Sequence, residues 1–159
     1  MSPAKRNRFV RESQVITTQL VLPNDTNQLG NLLGGTLMHW IDVAAAISAQ
    51  RHSGSVCVTA SVDELNFLRP IRLGEIVTLQ ASVNRVFSTS MEIGVVVTAV
   101  GTMGQPARRA TNAYLTFVAL DEKGKPVKVA PITPESEDER RRYDEALERR
   151  NLRLQHRRT

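Results

Sequence analysis

Residues 35–50 read GTLMHWIDVAAAISAQ, a run of good helix formers without proline, and Arg51, His52, Ser53 and Gly54 supply a stop after it. The spacing predicts a helix of about four turns. Its apolar residues, from Leu37, Met38, Trp40 and Ile41 through Val43, the three alanines 44–46 and Ile47, cover nearly the whole circumference, so the helix should be buried on most sides. What buries it is written on either flank. Residues 12–22, ESQVITTQLVL, are rich in β-branched side chains and end at Pro23, which reads as a strand followed by a loop from Pro23 to Asn31. Downstream, residues 55–67, 75–87, 91–103 and 108–121 are strand-like: Val77, Leu79, Ala81 and Val83 alternate with polar neighbours, and Met91, Ile93, Val95 and Val97 share a face. The links at 69–74, 87–90 and 101–106 are too short for parallel crossovers, so the sheet should be mostly antiparallel. One nearly all-apolar helix and one long antiparallel sheet satisfy each other only if the sheet curls around the helix, an α+β arrangement.

The end of the chain reads as a polar surface helix with a frayed tail. Thr133 is the expected N-cap and Pro134 the first helical position. Glu135, Glu137, Asp138 and Glu139 come early and Arg149, Arg150 and Arg153 late, the charge order that complements a helix dipole. Residues 1–159 are therefore read as one domain, with a core at about 12–132 and a helical extension at 133–159.

Composition narrows the function. A chain of 159 residues is long enough for a hydrophobic core without staples, and its 41% apolar and 23% charged residues are those of a folding protein. The net charge of +5 gathers at the ends, in Lys5, Arg6, Arg8 and Arg11 and in the arginines after Arg140. Aromatic residues are only 4% and none alternates with those arginines, which argues against a nucleic-acid stacking surface; a small molecule bearing nucleotide phosphates suits the same charge. Cys57 is the only cysteine, so no intrachain disulfide forms and the cytoplasm is the expected location. The N-terminus lacks the apolar core of a secretory signal, and the apolar stretch 32–49 is interrupted by Gly34, Gly35, His39 and Asp42, against a membrane span. His39, His52 and His156 are scattered without metal-binding spacing, and no G-x-S-x-G elbow is present. Neither a metal nor a cofactor is expected.

Between Thr26 and Gln50 the only formally charged side chain is Asp42. Burying a carboxylate costs several kcal/mol, on the order of 3 or more, unless it is paired. Two readings follow: a structural carboxylate that caps a loop or meets an arginine, or a general base or nucleophile. Gly34 and Gly35 open the helix, where unblocked N–H groups could hold a developing oxyanion. Asp42 lies seven positions after Gly35, two helical turns, on the same face.

At this point the sequence resembles a known family. DTNQLGNLLGGTLMHWIDVAAAISAQRHSG (25–54), followed by VTASVDELNFLRPIRLGE (58–75), STSMEIGVVV (88–97) and AYLTFVALDEKGKPVKVAP (113–131), is similar to the hotdog-fold acyl-CoA thioesterases of the cytosolic long-chain (brain-type) acyl-CoA hydrolase family, small bacterial members included. The likeness covers about residues 12–145. It implies a hotdog fold, hydrolysis of acyl-CoA to free acid and CoA, and a catalytic aspartate and asparagine matched by Asp42 and Asn27. It further implies a site between two subunits, with Asn27 and Asp42 from different chains, in a dimer that assembles further as a trimer of dimers. The backbone near Thr59 and the Ser88-Thr89-Ser90 turn would hold pantetheine, and Arg69, Arg108 and Arg109 are candidates for the CoA phosphates. Two rivals stay open on the same scaffold: a non-catalytic acyl-CoA sensor, and a dehydratase, for which no matching histidine is found.

Overall fold

The computed structural model describes residues 8–63, 65–102 and 104–158. Lys5 and Arg6 of the basic N-terminal cluster lie outside the described residues. The central helix, α2, runs Gly34–Ser53, longer at both ends than its sequence pattern predicts. It stops at Gly54, whose left-handed φ of 69° lets its N–H donate to the Gln50 carbonyl at 2.8 Å. Five strands form one sheet: β2 (Val15–Leu20), β3 (Val56–Val62), β4 (Ile76–Phe87), β5 (Ser90–Val100) and β6 (Arg108–Leu120), in the order β2-β4-β5-β6-β3. Every neighbour in it is antiparallel. Helix α2 contacts all five strands, which requires the sheet to curl around it as expected. The alternating residues of β4 and β5, Val77 to Val83 and Met91 to Val97, are all buried against Leu37, Ile41, Ala44 and Ala45 of the helix. This is the hotdog fold.

Several expectations are corrected. Helix α2 is not enclosed on most sides: the five strands cover the stripe from Leu37 to His52, while His39, Val43 and Ile47 stay exposed in a single chain. Residues 12–22 are not one strand, because a short helix α1 (Val10–Ser13) precedes β2. Ser13 makes that break, its hydroxyl donating to the Val10 carbonyl at 2.6 Å and accepting from the Val83 N–H at 2.9 Å. Strand β3 stops at Val62 rather than 67, after which Asp63 donates its N–H to the Tyr114 carbonyl and the chain runs irregularly. Thr133 does not cap the last helix. It belongs to β7 (Ile132–Thr133), which pairs in parallel with β1 (Arg8–Phe9) in a separate small sheet. Helix α3 spans Glu137–His156 and is capped by Ser136, whose hydroxyl accepts from the Glu139 N–H at 3.1 Å while Glu139 accepts from the Ser136 N–H at 3.1 Å. That reciprocal box satisfies two backbone donors, which a Thr133 cap would leave open.

The late arginines of α3 do more than complement a dipole. Arg149 forks onto the fully buried Glu92 carboxylate with bonds of 3.0 and 2.7 Å, and its guanidinium lies 3.6 Å from the Tyr114 ring centroid. Asn84 donates a third bond to Glu92 at 3.0 Å, and Arg153 pairs with Asp63 at 2.7 Å. Glu92 points away from the core-facing Met91 and Ile93, so this polar cluster fixes α3 to the outer surface of the sheet. Replacing Arg149 with methionine leaves the buried Glu92 charge with only Asn84 and the more distant Arg153, 3.9 Å away, and should destabilise the protein by about 3 kcal/mol. Urea unfolding measures this directly; an unchanged midpoint would mean that other contacts hold α3. No helix among the described residues is long and apolar enough to cross a membrane.

Candidate active site

Asp42 projects from the middle of α2 toward the edge strand β3, where the Thr59 hydroxyl donates to Asp42 Oδ1 at 2.6 Å. Among the described residues no arginine or lysine pairs with Asp42, so the ion-pair form of the structural reading has no support. The backbone around Thr59 is irregular: Thr59 pairs with Phe117 and Ser61 with Thr116, leaving Ala60 as an extra residue in β3. Such a bulge re-aims neighbouring side chains, and here Thr59 faces the helix. Thr59 was expected to contribute backbone alone. Its hydroxyl was missed because a threonine in a strand carries no sequence signal of what it faces.

Asn27 lies in the loop between the 3-10 turn Pro23–Asp25 and α2. Its side-chain oxygen accepts from the N–H groups of Leu29 and Asn31 at 2.9 and 3.2 Å, which folds the loop into a tight turn and leaves the amide nitrogen without a partner among the described residues. Asn27 therefore serves as the hydrogen-bonding centre of the loop. Gly34 and Gly35 form the first turn of α2, and the N-cap Leu33 supplies no side chain to its N–H groups. From Gly35 to Asp42 the helix rises about 10 Å. A single chain thus sets the candidates in two groups, or half-sites: Asn27, Gly34 and Gly35 at and before the start of α2, and Asp42 with Thr59 two turns farther along it.

The remaining candidates separate. Ser88, Thr89 and Ser90 turn between β4 and β5, with Ser88 at φ 73°, a left-handed geometry rare outside glycine. The carbonyls of Ser88 and Thr89 accept from the N–H groups of Val129 and Ala119 at 2.8 and 3.0 Å. Ser90 pairs with Val118, which pairs with Val58, so this turn stands two strands, about 10 Å, from the row beside Thr59. Arg108 is already committed: its guanidinium forks onto Glu75 and donates to the Pro70 carbonyl at 2.9 Å. That hydrogen bond from Arg108 is the main reason the Glu75 carboxyl is held below its ordinary range. Arg109 borders a groove on the outer surface beside Asn112, Tyr114 and Arg141. Only Arg69 adjoins the start of α2, at an apolar cavity that also touches Gly34. Cys57 is buried, as expected of a core residue. No cluster of potential metal ligands occurs among the described residues.

A curled sheet around one helix, with a hydroxyl-held carboxylate at its edge, has counterparts of known class. The family model of the Thioesterase superfamily matches residues 29–104. A Bacillus subtilis protein described as an uncharacterized acyl-CoA thioester hydrolase is 44% identical over 146 residues, 92% of this chain and 85% of that protein. The chain also matches mouse acyl-coenzyme A thioesterase 11, 41% identical over 151 residues, 95% of this chain but only 25% of that longer protein. An acyl-CoA hydrolase of Staphylococcus aureus, solved with butyryl coenzyme A and coenzyme A, superposes with a TM-score of 0.90 at 39% identity, covering 96% of this chain and 93% of that one. The same enzyme has been solved as single alanine variants of an asparagine, an aspartate and a threonine. A hexameric acyl-CoA thioesterase gives a TM-score of 0.92 at 37% identity, with 95% of this chain and 97% of that one covered. The chain belongs to the acyl-CoA thioester hydrolases of the thioesterase superfamily.

Proposed function

We propose that the protein hydrolyses acyl-CoA thioesters to a free carboxylic acid and CoA, with Asp42 as general base or nucleophile. The observation that carries this reading is the Asp42–Thr59 hydrogen bond, which fixes one carboxylate oxygen and leaves the other open to a water or to the thioester carbon. As base, Asp42 takes a proton from water as its oxygen attacks the carbonyl carbon; the C–S bond then breaks and the thiolate leaves, receiving that proton. The first-turn N–H groups of α2, at Gly34 and Gly35, stabilise the oxyanion, and the free amide of Asn27 positions water or substrate. Thioesters suit this simple equipment, since the thiolate leaves without a strong acid.

Because the half-sites are about 10 Å apart along one helix, the complete site takes Asn27 and the α2 start from one subunit and Asp42 and Thr59 from another. Two features favour such pairing. The outer edge of β3 has no partner strand among the described residues, Val56 (65% exposed) and Val58 are uncovered along it, and Val43 and Ile47 of α2 are uncovered as well. An unpaired strand edge carrying exposed valines invites a second copy. Dimers of this kind would assemble into a trimer of dimers, in keeping with the hexameric relative. Arg69 and Arg109 stay candidates for the CoA phosphates, which lie a whole pantetheine arm away from the thioester. The reaction needs neither metal nor cofactor, and the lone thiol of Cys57 is consistent with a cytoplasmic enzyme.

The test is thiol release from acyl-CoA esters of graded chain length. A folded oligomer that binds these esters and cleaves none is a sensor, and the reading fails. Replacing Thr59 with valine, which keeps the shape and removes the hydroxyl, should lower kcat about tenfold with a smaller change in KM. An unchanged kcat would remove Thr59 from the site.

A further inference from the structure

The loop that carries Asn27 is held in place by a second loop. Its internal bonds, the Asn27 N–H to the Asn31 carbonyl at 2.9 Å and the Gly30 N–H to the Asn27 carbonyl at 3.0 Å, set its shape but not its place. Apart from the Leu33 N–H on the Asp25 carbonyl, its place comes from the turn at 70–75. The Ile71 carbonyl accepts from the Leu32 N–H at 2.7 Å, the Gly30 carbonyl accepts from the Leu73 N–H at 2.9 Å, and Asn31 and Arg72 form an antiparallel bridge. The Glu75 side chain closes this turn. It is 8% exposed, and its carboxylate takes both arms of the guanidinium of Arg108, the first residue of β6, together with the backbone N–H of Arg72. Arg108 also donates to the Pro70 carbonyl at 2.9 Å. One forked pair thus grips the turn at Pro70, Arg72 and Glu75 and ties it to the sheet.

We infer that Glu75 is a positioning residue: through Arg108 and the 70–75 turn it sets where the Asn27 amide stands in the site. The inference rests on the thioesterase reading, in which Asn27 positions water or substrate, and extends it to a residue outside both half-sites. A forked guanidinium–carboxylate pair fixes direction as well as distance. A pair so far out of water adds little net stability over packed apolar residues, so its consequence here is geometric. Glutamine at 75 keeps the size but turns one acceptor oxygen into a donor, which then faces a donor of Arg108 or the Arg72 N–H, and the fork cannot close. The turn keeps its bonds to Val21, from the Gly74 N–H at 2.9 Å and to the Glu75 carbonyl at 3.0 Å, and Ile71 stays buried in the core. The fold should therefore survive while the Asn27 loop loosens.

The experiment measures kcat and KM on acyl-CoA esters for the wild type, Glu75→Gln, Asn27→Ala and the double variant, and follows amide hydrogen exchange at residues 27–33 in Glu75→Gln. Misplacing a reacting partner by about 1 Å costs on the order of a hundredfold, so loosening its support should lower kcat about tenfold with KM within about twofold of wild type. In the Asn27→Ala background the same substitution should cost less than about twofold, because the group it places is gone. Exchange at 27–33 should quicken. A merely structural role shrinks the active fraction by one factor in both backgrounds, and that result overturns the inference. A folded Glu75→Gln with wild-type kcat, or with unchanged exchange at 27–33, overturns it too; each of these leaves the hydrolase reading intact. If Glu75→Gln does not fold, Arg108→Lys, which keeps the charge and loses the fork, takes its place in the cycle. A wild type that cleaves no ester overturns the hydrolase reading and this inference with it.

Discussion

Asp42→Ala should reduce acyl-CoA hydrolysis at least a thousandfold, the upper part of the range of about 10²–10⁴ for loss of a positioned base. The substitution should leave the fold in place. Asp42 is only half-buried, carries no ion pair among the described residues, and its hydrogen bond there runs to the Thr59 hydroxyl, which water can replace. The loss should therefore appear in kcat with oligomer size and melting temperature nearly unchanged. A variant that keeps a tenth of the activity would remove Asp42 from the chemical step and leave it as a neighbour of Thr59.

The second large effect is a recovery. Asn27→Ala and Asp42→Ala, each nearly inactive alone, should regain about a quarter of wild-type activity when their subunits are mixed, dissociated and reassembled. Random pairing makes half of the dimers hybrid, and in each hybrid one site collects both damaged residues while the other has neither. Intrachain sites would give no recovery. The Asn27 variant must first be shown to fold, because its side-chain oxygen also ties Leu29 and Asn31 into the loop. If it does not, Gly34→Pro in its place removes a first-turn N–H at the first helical position, where proline is tolerated.

Much of this architecture was legible in the sequence because it rests on periodicity. The alternation through Val77–Val83 and the apolar residues of 35–50 specify a helix and a half-buried strand whatever lies around them, and both are found where they were expected. The failures share a cause. Thr133 lost its cap role to a pairing with Phe9, more than a hundred residues away in sequence, and Arg149 found Glu92 on a strand 57 residues distant. Local pattern cannot foresee a partner that only the tertiary fold supplies. The site divides the same way: Asp42 stood out as a lone charge in an apolar helix, whereas the Thr59 hydroxyl became visible only once β3 was laid beside α2. The open face of Val43 and Ile47 was misjudged because a sequence does not say which apolar residues of a helix the sheet leaves uncovered.

The extra residue at Ala60 sets a rule for how this gene can change length. In a strand, deleting one residue upstream of Thr59 would turn its hydroxyl to the opposite face of the sheet. The bulge would not absorb the shift, since it already lies on the far side of Thr59 from the α2–β3 turn. Insertions and deletions should therefore accumulate in the β5–β6 connection at 101–107 and be purged between Val56 and Val58, where even a single lost codon separates the hydroxyl from its carboxylate.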